Sequence, residues 1–433
     1  MILQVLAHGV GSRGDLPLPL WQFAWAAIAA LVISFVALGV LWKSPRLAQA
    51  AEGRALTWTA GPLRVLEPVA RAGSFLLFVL VLAAGLFGTD SSAENIAPVA
   101  IYVTFWVVLQ SLVAILGDVW RVLSPFDTLA LLTERRRPEP VASPRWSHWF
   151  APLGAFGFLF IELAHPSGDS PRVLGIAMLL YTGAVMGAVW RWGRSWLSEG
   201  EAFTVLFSML AAMAPFDRDD EGYLRIRPPL SGLASLNVSS VGTAVILVVL
   251  GGTTFDGFSE SELWTDLVGR PSGWSAAAWA TFGLVDAIIV LAVLYLAAVR
   301  SMALATGRDS RQLANVFAPS LVPISFGYTL AHYLQLAVDE TQTFVFRLSD
   351  PFGRGWDLFG GADGSIDFDL VSVDVIAWFQ ALAIVVGHIA GVLVAHDRAV
   401  ATFDERDALR SQYVMLFVMV VYSVLGLWLL LNA

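Results

Sequence analysis

Residues 202–216 read AFTVLFSMLAAMAPF, and whether they cross a bilayer decides on which side every later loop lies. Spanning about 30 Å of hydrocarbon takes roughly 20 apolar residues in a helix. This run has a helical pattern without the length, so it predicts an interfacial or re-entrant helix that returns to its starting side.

Longer apolar runs occur at about 19–42, 72–88, 97–117, 148–165, 171–191, 234–252, 276–300, 314–337, 370–396 and 411–431. They predict an all-α integral membrane protein of about ten transmembrane helices, forming a single polytopic membrane domain over 1–433. The charges supply the orientation. With both chain ends outside, all but five of the 26 basic residues fall in cytoplasmic loops, the exceptions being Arg13, Arg172, Arg270, Arg347 and Arg354. That is the positive-inside distribution. If 202–216 crossed, Arg218, Arg225 and Arg227 would move outside and the acidic 256–266 loop inside. Residues 133–145, TERRRPEPVASPR, then form a basic cytoplasmic linker, and 339–369 a long acidic outer loop. Five helices on each side of the midpoint allow a 5+5 inverted repeat. RVLSPFDTL at 121–129 and RLSDPFGRGWDLF at 347–359 are its one short echo.

Composition agrees, at 57% hydrophobic and 14% charged residues. The lipid bilayer is therefore the first partner, and a net charge of −9 gives nucleic acid no footprint. No cysteine is present, which excludes disulfides and thiolate chemistry and leaves His, carboxylate and carbonyl groups to hold any divalent metal. Walker, dinucleotide, HExxH and GxSxG patterns are missing as well. The opening MILQVLAHGVG lacks a basic n-region and reads as part of the mature chain.

The polar exceptions inside apolar runs carry the functional reading. In 319–342, PSLVPISFGYTLAHYLQLAVDETQ, the residues Ser325, Tyr328, His332 and Gln335 recur at three or four and share one helical face. A histidine within a membrane helix is costly and marks a protein interior or wet cavity. Pro319 and Pro323 interrupt the same segment. At comparable depth the topology places His8, Glu162, His165 and Asp256, with Glu162 and His165 spaced to reach one metal. Asp286 lies within an apolar helix, where it needs a partner such as His332 or His388. Asp374, Gln380 and His388 outline a polar path along the ninth helix.

HGVGSRGDLPLPLW, RSWLSEGEAFTVLFSMLAAMAP, LGGTTFDGF, AHYLQL and VVGHIAGVLVAHDRA, spread over most of the chain, resemble the multi-pass bacterial membrane proteins identified as fenitrothion hydrolases. The resemblance implies a bacterial plasma membrane and hydrolysis of an organophosphate triester. Such chemistry calls for metal-activated water and a clamp on the phosphoryl oxygen. His8, His165, His332 and Asp256 would then be metal ligands, with His332, Glu162 and Asp286 as acid–base candidates and Arg13 as oxyanion partner. A transporter or metal- or proton-coupled permease is the alternative, with Tyr328, Gln335, Asp374, Gln380 and His388 along the route of a small molecule or ion. A non-catalytic subunit of a membrane complex is a third reading.

Overall fold

The structure, a computed structural model, describes residues 20–134, 139–219 and 222–432. The helices that build the bundle are α1 (Leu20–Leu41), α2 (Ala60–Phe87), α3 (Ile96–Leu116), α4 (Phe150–Leu163), α5 (Pro171–Trp192) and α6 (Ala202–Ala211). They continue as α7 (Ser240–Ser259), α8 (Gly273–Thr306), α9 (Leu321–Arg347), α10 (Val373–Thr402) and α11 (Tyr413–Asn432). Among the described residues, nine helices are long and apolar enough to cross a membrane, which makes the chain a polytopic all-α membrane protein. The expected span at 148–165 is the difference from ten. Its α-helix has only 14 residues, preceded by a 3₁₀ turn at Arg145–Trp149.

Burial separates the helices into layers. The most apolar windows of α1 and α2 are 17% buried, while those of α7 and of the Ser310–Arg347 segment are 78% buried. The former therefore face lipid and the latter form the centre, where a helix apolar on all sides has neighbours on all sides. Helix α6 is central too. Of its ten residues only Thr204 and Ser208 are not buried, and it packs against α3, α4 and α7. A helix lying at the interface would keep one polar face wet. This one is inserted into the bundle instead.

Small residues bring the central helices together. A Cβ at Gly327 of α9 would lie 2.6 Å from the Ala383 carbonyl oxygen of α10, and one at Gly387 would lie 2.7 Å from that of Pro323. Backbones this close are the usual benefit of glycine in membrane helix pairs. Gly387→Val is expected to cost about 1–3 kcal/mol by overpacking. The check is a lowered thermal midpoint in detergent.

Two expectations about connections change. Helix α9 runs on to Arg347, so the outer loop begins at residue 348 and not at 339, because Glu340 turns its side chain into the bundle and is 7% exposed. The loop is also pinned. Asp350 accepts hydrogen bonds from the backbone N–H groups of Arg354 and Gly355 at 2.9 and 2.6 Å, and Pro351 and Phe352 accept from Ile96 and Thr89. At the basic end, β1 (Arg54–Leu56), β2 (Phe216–Arg218) and β3 (Leu224–Ile226) form an antiparallel sheet in the order β1-β3-β2. Arg225 and Arg227 both pair with Asp217 at 2.6 Å across it.

Candidate functional site: an acidic cavity backed by a buried Asp–His–Tyr cluster

Helix α9 starts after a break. The short helix Ser310–Phe317 gives way to a 3₁₀ turn at Ala318–Ser320, and Pro323 sits in the first turn of α9, where its missing N–H costs nothing. Beyond the break, Ser325, Tyr328 and His332 are buried, and Gln335 is half-buried. His332 Nε2 lies 3.0 Å from Asp256 Oδ2 of α7. The Tyr333 hydroxyl donates to the same oxygen. Tyr328 stacks on the His332 ring at 5.9 Å between centroids.

The LGGTTFDGF stretch of α7 makes this contact possible. A Cβ at Gly257 would collide with the Tyr328 hydroxyl, so only glycine lets α9 seat against α7 at Asp256. Asp256 is 1% exposed. A carboxylate this deep is costly unless donors surround it, and the histidine and tyrosine occupy that role.

Asp256 also forms part of the wall of a cavity of about 550 Å³ between α3, α4, α7, α8 and α9. Glu162, Asp169 and Glu340 line the same space, and Arg347 is the one arginine or lysine lining it among the described residues. Oε2 of Glu162 and Nε of Arg347 are shielded and have no hydrogen-bond partner among the described residues. Tyr102 of α3 closes one wall, donating to the Gly168 carbonyl at 2.7 Å. Helix α3 is π-helical over Ala100–Leu109, alongside this wall. Such widened turns are rare and frequent at functional sites.

A second cavity, also of about 550 Å³, lies at the opposite end of α3 and is lined by Asp118, Trp120, Arg194 and Thr204. Burial pushes the Asp118 carboxyl above its usual range, against the lowering influence of Arg121.

The structure brings Glu162, His165 and Asp256 to one cavity and places His332 directly behind Asp256. The Glu162–His165 pair does not share a helical face, because α4 ends at Leu163 and His165 instead accepts from the Ser167 N–H at 3.2 Å. Among the described residues no group of three or more His, Asp or Glu side chains is arranged to hold a metal ion. Asp286 is exposed on α8 beside exposed Phe282 and Ile289, whereas both proposed histidine partners are buried. An apolar run with no clear period could not show which way it faced. His388 is buried against the Ile384 carbonyl at 2.8 Å, with its ring 5.9 Å from that of Tyr422. Asp374 is exposed in the first turn of α10, Gln380 is half-buried, and neither lines the cavity. His8 and Arg13 lie outside the described residues.

Tyr333, Glu340 and Arg347 were not among the sequence candidates. Their signal was present: Tyr333, Leu336, Glu340, Thr343 and Arg347 recur at three and four, one residue out of step with the stripe through His332. No protein-family model, curated protein or solved structure matches the chain. Fold and site together define a polytopic all-α membrane protein with an acidic, partly closed cavity.

Proposed function

We propose that the protein is a permease of the plasma membrane that binds a small organic cation in the acidic cavity and exchanges it for protons at Asp256. The observation behind this reading is the convergence of Glu162, Asp169, Asp256 and Glu340 on one space, against Arg347 alone among the described residues. In a low-dielectric wall such an excess of negative groups favours a cation over an anion of equal size. Asp256 is the coupling group because its Oδ2 is already held by His332 and Tyr333. Solute and proton would then compete for one carboxylate. On the orientation that the basic loops favour, the cavity faces outward.

Guanidinium, charged at all accessible pH values, is a suitable probe. It is expected to raise the thermal midpoint of the purified protein saturably at pH 8 and much less at pH 5, while acetate has no effect. An equal response to acetate and guanidinium would contradict the cation reading.

Ester hydrolysis is the second reading, favoured because Asp256 reaches the cavity as a hydrogen-bonded carboxylate able to take a proton from water. His332 would then orient Asp256 from behind. Turnover of an organophosphate triester that is abolished by Asp256→Asn would support this reading over transport.

A further inference from the structure

The two cavities lie at opposite ends of α3, and a chain of aromatic ring contacts runs from one to the other. Tyr102, in the wall of the acidic cavity, meets Phe158 of α4 edge-on at 6.1 Å. Phe158 contacts Trp106 at 4.7 Å and Phe203 at 5.6 Å, and Phe203 contacts Phe105 at 4.8 Å. Phe207 then meets Trp120 at 5.1 Å, and Trp120 lines the second cavity. The rings come from α3, α4, the inserted helix α6 and the turn after α3.

A layer serving only as core would be expected to satisfy its polar atoms. Here Thr104 Oγ1, Trp106 Nε1 and Gln110 Nε2 are buried without hydrogen-bond partners among the described residues, all on α3 at or beside this layer. Trp106 and Gln110 are 1% and 2% exposed. Each such orphan donor costs about 1–3 kcal/mol in the state shown. The π-helical stretch of α3 covers the same level. On the far side the polar groups are complete: Trp120 Nε1 donates to Thr204 Oγ1 at 3.2 Å, and Thr204 donates to Glu201, the cap of α6, at 2.6 Å.

We infer that the layer of Phe105, Trp106, Phe158, Phe203 and Phe207 is the closed gate of a cation path joining the acidic cavity to the cavity at the basic end. The orphan donors of α3 meet water when the rings part, and the cation meets the ring faces. This rests on the permease reading and adds the route and its barrier.

The experiment measures efflux of labelled guanidinium from proteoliposomes without a pH gradient. Phe203→Ala is expected to raise efflux at least tenfold over the unaltered chain, while Trp146→Ala, which removes an exposed ring, leaves it unchanged. A folded Phe203→Ala that does not leak, while the unaltered chain still carries guanidinium on a pH gradient, would overturn the gate and leave the permease reading standing. No movement by either protein would remove both. The chain has no cysteine of its own, so Gln110→Cys gives an independent readout should Phe203→Ala not fold. Its thiol is expected to react with an impermeant methanethiosulfonate while a guanidinium gradient drives turnover, and to be protected otherwise; protection under both conditions would overturn the gate.

Discussion

Asp256→Asn is expected to weaken guanidinium binding at least about 100-fold while leaving the fold intact. Asparagine has the shape of aspartate and can still accept from Tyr333, so packing is preserved. What is lost is the charge. A hydrogen bond to a charged group contributes about 1.5–3 kcal/mol, and the central carboxylate of a shielded cavity falls at the upper end of that range, where 2.8 kcal/mol corresponds to about 100-fold. Glu162→Gln and Glu340→Gln are expected to cost about tenfold each, since each leaves the other three carboxylates in place. Equilibrium binding of labelled guanidinium reads all three. Equal, small losses would show that the cavity acts only through its summed charge.

Arg398→Met is the change expected to damage the protein most. Its guanidinium, 6% exposed, donates to the carbonyls of Leu233, Ala234 and Leu236 at 2.6–2.7 Å and to that of Val316. These carbonyls belong to the end of the short helix Ser231–Ser235 before α7 and to the helix Ser310–Phe317 before α9, so one side chain fastens both to α10. Methionine fills similar space with no donor. Each buried carbonyl stripped of its donor costs about 1–3 kcal/mol, so the loss is expected to exceed about 3 kcal/mol. The neighbouring Asp397, accepting from Trp42 Nε1 at 2.8 Å and from the Leu47 and Ala48 N–H groups at 3.0 Å, caps helix Arg46–Ala50 in the same way. The check is the yield of monodisperse protein and its thermal midpoint. A midpoint within a degree of the unaltered chain would mean that the carbonyls find other donors.

Much of this was legible in the chain. Apolar length alone located the long helices, and it identified 202–216 as too short to cross. That α6 is buried was not legible, because burial depends on which neighbours close around it. His332 was conspicuous as a polar residue in apolar surroundings, whereas Asp256 read as the start of the acidic 256–266 loop; α7 runs on to Ser259 and carries Asp256 into the bundle against His332. Asp286 was equally conspicuous and faces outward, since an isolated charge carries no information about direction. The stripe through Tyr333, Glu340 and Arg347 was obscured by its neighbour through Tyr328 and His332: α9 has polar residues on two faces about 100° apart, and Tyr333 and His332, one from each, both reach Asp256 of α7 while Glu340 and Arg347 line the cavity. His396, Asp397 and Arg398 are buried, which only the tertiary contacts of the basic end reveal.

The central claim is that one carboxylate in an acidic cavity serves both cation and proton. Proteoliposomes loaded with guanidinium and a pH-sensitive dye, diluted into guanidinium-free buffer, test it directly. Outward guanidinium movement is expected to draw protons inward, acidifying the lumen for the unaltered chain and not for Asp256→Asn. Acidification at the same rate in both, or in neither while guanidinium still leaves, would contradict it.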